Sequence, residues 1–184
     1  MKIRPVILCG GAGNRLWPNF KNHQAKQFID FGGWTLFGKT LDRIKGSLFD
    51  DPVISTNIKY IKEIRKILKI HKIKNYKIVL EPVKKNTGPA ILSSSLIQDI
   101  PYQQPLIFLS ADHLIEENKK FKNEINKKVK YLSNKNIFIF GIKPNTPSDQ
   151  FGYFTSKKNQ NFYKVKKFIE KPNIKKAKRI IKKG

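Results

Sequence analysis

Short apolar runs alternate with amphipathic stretches along most of the 184-residue chain. The apolar runs predict β-strands at positions 5–9, 52–55, 76–80, 105–109 and 136–142. The amphipathic stretches predict helices, with Thr35 as the N-cap of the first, at positions 35–48, 57–71, 86–100 and 121–132. Such alternation is typical of an α/β fold, a Rossmann-like and mostly parallel sheet with helices on both faces.

The last part of the chain departs from this alternation. Residues 151–155 and 162–169 predict two short strands that pair as a hairpin, and residues 173–183 predict a basic helix. No internal repeat or flexible linker interrupts the sequence, so we expect a single domain over residues 1–184.

Three polar or flexible positions directly follow predicted strands. Gly10 follows the first strand, Glu81 the third and Asp112 the fourth. In open α/β sheets, ligands bind beyond the carboxyl ends of the strands. The sequence therefore predicts that these residues lie at one edge of the sheet, where they form a ligand site.

The composition is strongly basic, with 38 Lys and Arg against 13 Asp and Glu and a net charge of +25. Nucleic-acid-binding modules often have this balance. Here, however, the charge is mostly lysine and is scattered without basic–aromatic clusters, so we expect solvated faces rather than a nucleic-acid partner. A positive field would still attract anionic nucleotides.

The single cysteine, Cys9, excludes an internal disulfide and favours a reducing cytoplasm. No apolar run is long enough for a transmembrane helix, so no membrane partner is expected.

The first strand runs into a glycine-rich loop at residues 10–18, Gly-Gly-Ala-Gly-Asn-Arg-Leu-Trp-Pro. Small residues let backbone N–H groups approach phosphate oxygens, and Arg15 can hold a phosphate with two parallel hydrogen bonds. The loop is not the dinucleotide fingerprint, because Leu16 stands where the third glycine belongs, and it lacks the Gly-Lys-Ser/Thr of a Walker A loop.

Together with Lys26-Gln27-Phe28, this loop resembles the signature of the mannose-1-phosphate guanylyltransferases, within the sugar-1-phosphate nucleotidyltransferase family. The resemblance continues in order through residues 81–90, 109–115, 147–154 and 168–172. It implies the nucleotide-diphospho-sugar transferase type of α/β fold, also described as GT-A-like. Six positions differ from the family pattern. Lysine replaces the family's arginine at Lys21 and Lys85, and proline is replaced at Ala25 and Ser110. Gly88 stands where the family has alanine, and Gln150 where it has glycine.

The resemblance implies roles in nucleotide binding. The glycine loop holds the triphosphate through Gly10, Gly11 and Gly13, while Arg15 and Lys26 act as the catalytic cations. Glu81, Asn86 and Thr87 bind the nucleotide, and the Glu81 carboxylate is able to accept hydrogen bonds from guanine N1–H and N2–H₂.

Metal and sugar roles follow in the same way. The resemblance implies that Asp112 holds Mg²⁺, which proteins commonly bind through one or two carboxylates plus substrate phosphates and waters. It also implies that Gly152, Glu170 and Lys171 bind the sugar phosphate.

The implied reaction is the transfer of GMP from GTP to mannose 1-phosphate, giving GDP-mannose and pyrophosphate. Catalytic domains of the family continue further and carry a later aspartate as second metal ligand, so we expect this domain to be incomplete at its C-terminus. The alternative is a truncated nucleotide-binding remnant or one piece of a split enzyme, without activity alone. A homo-oligomer or a partner chain that supplies the missing part also stays open.

Overall fold

The computed structural model describes residues 2–11, 25–83, 85–133, 135–159 and 162–183. The chain divides into two compact units, Met1–Asn136 and Ile137–Gly184. The first unit carries a parallel sheet and the second a two-stranded antiparallel hairpin.

The sheet of the first unit has four parallel strands in the order β3-β2-β1-β4. Their bounds are β1 Arg4–Leu8, β2 Val53–Thr56, β3 Lys77–Leu80 and β4 Leu106–Ser110. Both inner strands are buried on both faces, as expected for a sheet covered by helices. These four predicted strands and the parallel α/β fold are confirmed.

Helices connect the strands, as predicted. Their bounds are α1 Leu36–Arg43, α2 Ile61–Ile70, α3 Thr87–Ser95 and α4 Asn118–Val129. Thr35 caps α1, because its side-chain oxygen accepts a hydrogen bond from Gly38 N–H at 2.9 Å. This helix ends earlier than its predicted limit of residue 48, and Gly46 lies beyond it with a φ of 114°, which favours glycine.

A hydrophobic core joins the helices to the sheet. Phe37 and Leu41 of α1 pack with Ile54 of β2 and Ile64 of α2, and all four side chains are fully buried. Close-packed interiors of this kind move little, so the core gives the carboxyl ends of the strands a rigid base.

The second unit consists of a hairpin and a helix. Strands β5 (Tyr153–Asn159) and β6 (Phe162–Ile169) pair antiparallel, with an irregularity between Thr155 and Ser156. Helix α5 (Ile174–Lys183) contacts β5 and buries Ala177 completely. The predicted hairpin and basic helix are confirmed. None of the helices that the structure describes is long and apolar enough to cross a bilayer.

The strand predicted at residues 136–142 is wrong, because the structure has no strand there. Ile137 is 94% exposed and Ile142 is 86% exposed. Isoleucine and phenylalanine favour strands only where one face is buried and a neighbouring strand accepts the backbone hydrogen bonds. These conditions depend on the tertiary structure and are not met at this segment.

Candidate functional site

The loops after three strands of the first unit are held by hydrogen bonds that extend the sheet by one residue. Cys9 N–H donates to Ser55 O at 2.8 Å, and Glu81 N–H donates to Thr56 O at 2.8 Å. Ala111 N–H donates to the carbonyl of β1's last residue at 3.1 Å. The polar residues that follow β1, β3 and β4 therefore lie at one edge of the sheet, as the sequence predicts.

Glu81 lies directly against the backbone of Gly10. A Cβ atom on Gly10 would come within 3.0 Å of Glu81 Oε1. Ser55 Oγ donates a hydrogen bond to the same oxygen at 2.8 Å, and Asn57 Nδ2 donates to the Glu81 carbonyl at 3.2 Å. Ser55 thus orients the carboxylate, and a side chain at position 10 would press against it.

Lys26 and Asp112 form an ion pair at the same edge, with 3.7 Å between Nζ and Oδ2. Ser110 Oγ donates to the other carboxylate oxygen of Asp112 at 2.6 Å. Burial raises the pKa of Asp112, but the Ser110 hydrogen bond and the Lys26 and His113 charges outweigh it and lower the pKa below 3.8. Asp112 is therefore ionised at neutral pH.

Gln27 is a site residue to which the sequence analysis gave no role. Its side chain is only 3% exposed, and its Nε2 donates to Cys9 O at 3.2 Å and to Gly11 O at 3.1 Å. The Lys26-Gln27-Phe28 motif gave no local sign of this burial, because glutamine is mostly exposed in folded proteins.

Arg43 is a second residue that sequence reasoning missed. It lies on α1 with 1% exposure, and its NH2 group donates to His113 O at 3.0 Å. Burial lowers its pKa, although guanidinium groups stay charged in proteins. Its charge lies 5.8 Å from the ring of Phe121. Arg43 thus ties α1 to the loop that carries Asp112. A cation on an amphipathic helix usually indicates a solvated face, which is why pattern alone did not reveal it.

Cys9 lies beneath the site with 1% exposure. Burial raises the pKa of its thiol well above the usual range, and the charges of Asp112 and Glu81 raise it further. The thiol therefore stays protonated and is not a nucleophile.

No group of three His, Cys, Asp or Glu side chains that could hold a metal occurs in the described parts of the chain. Asp112 does offer one ionised and partly exposed carboxylate. This donor fits a hard cation that takes most of its ligands from phosphate and water oxygens, as Mg²⁺ does. Zinc, which prefers nitrogen and sulfur ligands in a closed set, does not fit.

Asn86 and Thr87 open a helix, as predicted, since α3 begins at Thr87 and contacts β1 and β2. Asn86 has φ 65° and ψ −166°, a backbone region that is almost confined to glycine. Its side chain does not cap the helix. Strain of this kind costs about 1–3 kcal/mol and tends to occur at functional sites.

The second unit brings Gly152, Glu170 and Lys171 together. A Cβ on Gly152 would lie 3.0 Å from Glu170 Oε2 and 2.5 Å from the Phe168 ring. Lys171 has a φ of 40°, and its N–H donates to Phe151 O at 3.2 Å. Its ammonium lies 4.0 Å from Glu170 Oε1. A side chain at position 152 would thus force Phe168 or Glu170 to shift within this unit.

Two predicted site residues, Gly13 and Arg15, lie outside the described residues. Five others lie at the carboxyl edge of the parallel sheet in the first unit, namely Gly10, Gly11, Lys26, Glu81 and Asp112.

A parallel sheet that carries a glycine loop, a lysine and two carboxylates at its carboxyl edge has the architecture of the α/β nucleotidyltransferases. Residues 4–184 match the sequence profile described as Nucleotidyl transferase. The chain belongs to this family, which confirms the class predicted from the motifs.

Curated relatives point in the same direction. An Escherichia coli mannose-1-phosphate guanylyltransferase is 34% identical over 97% of this chain and 41% of its own length. A Salmonella typhimurium relative of the same activity name is 32% identical over 95% of the chain and 38% of its own length. The chain thus spans about two fifths of the length of these relatives.

Solved structures confirm the fold. A Thermus thermophilus protein described as mannose-1-phosphate geranyltransferase aligns over 100% of this chain and 54% of its own, with a TM-score of 0.84 and 23% identity. A Helicobacter pylori protein described as mannose-6-phosphate isomerase aligns over 100% of this chain and 66% of its own, with a TM-score of 0.78 and 32% identity.

Proposed function

We propose that this protein transfers GMP from GTP to mannose 1-phosphate, giving GDP-mannose and pyrophosphate. The observation that carries the proposal is that the Lys26–Asp112 ion pair and the Gly10–Glu81 contact lie at the same carboxyl edge of the parallel sheet. The relatives named mannose-1-phosphate guanylyltransferase support the same reaction.

The guanine base is selected by Glu81. Ser55 occupies Oε1 of its carboxylate, and no described residue donates a hydrogen bond to Oε2. A carboxylate oxygen in this state can accept from guanine N1–H and N2–H₂, whereas adenine has no donor at N1. Asn86 and Thr87 contribute the start of α3, where helix N–H groups have no partner within the helix.

The triphosphate is held by Gly10, Gly11 and Gly13, with Arg15 and Lys26 neutralising its charge. The position of Lys26 supports this role, because its side chain is a third exposed and its ammonium pairs with Asp112 at the edge of the sheet. Asp112 would hold Mg²⁺ together with the nucleotide. When bound, the metal ion supplies positive charge that offsets the charge of the phosphates.

The sugar phosphate is bound by Gly152, Glu170 and Lys171. Glu170 is 63% exposed and can accept hydrogen bonds from sugar hydroxyls, while Lys171 is 55% exposed and can meet the phosphate. These side chains are supported by the hydrogen bond from Lys171 N–H to Phe151 O.

In the reaction, a phosphate oxygen of mannose 1-phosphate attacks the α-phosphorus of GTP while the bond to the pyrophosphate oxygen breaks. The attacking oxygen is already ionised, so the protein needs no general base. Catalysis then comes from positioning and from charge neutralisation by Arg15 and Lys26. The protonated Cys9 takes no part.

The test is to incubate the purified chain with Mg²⁺, mannose 1-phosphate and either GTP or ATP, and to measure pyrophosphate release and nucleotide affinity. We expect release with GTP and a preference for GTP over ATP. Lys26→Met should abolish most of the release, whereas the control Lys45→Met, which breaks an exposed ion pair with Asp42 beyond the end of α1, should not. A wild-type chain that binds no GTP would refute the proposal.

Binding of GTP without pyrophosphate release would instead favour the nucleotide-binding remnant or the split enzyme.

We also place the protein in the cytoplasm, a proposal supported by its single, buried and unpaired Cys9.

A further inference from the structure

Gln27 occupies an unusual position below the glycine loop. Its side-chain amide has two N–H groups, and Nε2 lies within hydrogen-bond distance of two carbonyls, 3.2 Å from Cys9 O and 3.1 Å from Gly11 O. These carbonyls flank Gly10 on either side. Thr56 Oγ1 also donates to Cys9 O, at 3.3 Å. The backbone on both sides of Gly10 is thus held by buried side chains.

The direction of these hydrogen bonds determines which way the Gly10 N–H points, and therefore whether it can donate to a bound anion. In a trans peptide, the N–H points away from the C=O of the same unit. Because Gln27 and Thr56 draw the Cys9 carbonyl inward, the N–H of Gly10 points away from them. No described residue accepts a hydrogen bond from this N–H. Gly11 has open space on its side, since an added Cβ would meet no atom within 4 Å.

In the short 3-10 turn Lys26–Phe28, one side chain faces the site and the other two are buried. Lys26 points to the site and pairs with Asp112, while Gln27 and Phe28 are each 3% exposed. Phe28 packs against Phe37 at 6.0 Å between ring centroids. Three consecutive residues of the turn therefore pair with Asp112, support the Gly10–Gly11 backbone and pack in the core.

We infer that Gln27 is a positioning residue that holds the Gly10–Gly11 backbone in the orientation that binds phosphate. This inference rests on the proposed function. Without the amide, the Gly11 carbonyl loses the Gln27 donor and the Cys9 carbonyl keeps only the hydrogen bond from Thr56, so both are held less firmly away from the site. A carbonyl oxygen facing the site repels phosphate. Guanine, by contrast, is selected by Glu81, which Ser55 holds independently of Gln27.

The test measures dissociation constants of GTP, pyrophosphate and guanosine for the wild type and Gln27→Met in Mg²⁺. Methionine keeps the length and apolar packing of glutamine but cannot donate. We expect GTP and pyrophosphate to bind about tenfold more weakly or worse, and guanosine to change less than about twofold. The matched control is Gln104→Met, because Gln104 donates to Asp50 at 2.7 Å, away from the glycine loop. It should leave all three affinities unchanged.

Equal losses for all three ligands, or no loss, would show that Gln27 only packs in the core and would overturn the inference. If the wild type does not bind GTP, the proposed function and this inference are both refuted. If the wild type binds GTP and Gln27→Met binds it equally well, only the inference is refuted. If Gln27→Met does not fold, Gln27→Asn replaces it. Its shorter amide reaches at most one carbonyl, so an intermediate loss is expected, and wild-type phosphate affinity would be contrary evidence.

Discussion

Two glutamates in the two units lie against a glycine in the same way but rest on different frameworks. Glu81 lies 3.0 Å from a Cβ built on Gly10, and Glu170 lies 3.0 Å from one built on Gly152. Glu81 is held by Ser55 at the end of a buried parallel sheet. Glu170 lies at the end of an exposed hairpin and is itself 63% exposed.

Under the proposed function, this difference predicts how strongly each unit discriminates between ligands. A preorganised carboxylate on a rigid sheet discriminates well, because the group does not move to accommodate a wrong base. An exposed carboxylate on a hairpin contributes less per hydrogen bond, since water competes for it. We therefore expect base selection to depend on the first unit more than sugar selection depends on the second.

The largest expected effect is on stability, and it compares a buried ring in the first unit with an exposed ring in the second. Phe37→Ala removes a fully buried ring from the first unit and should lower the free energy of unfolding by about 3–5 kcal/mol. Phe168→Ala in the second unit removes a ring that is 58% exposed and should cost less than about 1 kcal/mol. Urea unfolding followed by tryptophan fluorescence and circular dichroism measures both. Equal losses would contradict the distinction.

The next effect tests the carboxylates themselves. Glu81→Gln should weaken GTP binding by about 1.5–3 kcal/mol, roughly tenfold to a hundredfold, because a charged acceptor is lost. Glu170→Gln should leave GTP affinity unchanged and raise the KM for mannose 1-phosphate. Calorimetric titration with GTP and pyrophosphate-release kinetics separate the two. A GTP affinity that falls equally in both variants would count against the assignment.

A smaller effect concerns the strained residue near each glutamate, Asn86 in the first unit and Lys171 in the second. Asn86→Gly should raise the free energy of unfolding by about 1 kcal/mol, because glycine adopts φ 65° freely. The same variant should weaken GTP binding, since it loses the side-chain amide. Thermal melts and GTP titration measure these opposite changes. A melting temperature that falls would show that the Asn86 side chain stabilises the loop.

The smallest expected effect is a loss of folding stability at acidic pH. Burial raises the pKa of Asp42, but Lys45 and His71 outweigh it, and the hydrogen bond from Gln104 lowers the pKa of Asp50. Both carboxyls have folded pKa values below the ordinary 3.8, so their stabilisation is present above about pH 4. It is lost as pH falls through the folded values.

Melting temperatures measured from pH 6 down to pH 3 check this expectation. The wild type should lose stability over the lower part of this range, and Asp42→Asn should lose less because one of the linked carboxyls is gone. An identical slope in both proteins would remove Asp42 from the acid response.

Local patterns predicted most of the fold and part of the site. The four parallel strands, the hairpin and the Thr35 cap follow from periodicity and from residue types within a few positions of one another. The segment 136–142 failed the same reasoning, because its apolar residues are mostly exposed and pair with no strand. Glu81 and Asp112 were found because they follow strand ends, and Lys26 through the family resemblance of its motif, whereas Gln27 and Arg43 carry no such local mark.

By itself, the sequence determined the α/β alternation, the family and the edge of the sheet at which the site forms, because these depend on short-range spacing. Only the tertiary structure decided which polar side chains support that site. Ser55 meets Glu81 across 26 positions of the chain, and Arg43 meets the His113 carbonyl across 70. Such hydrogen bonds require strand order and distances within a few tenths of an ångström, which no local pattern encodes.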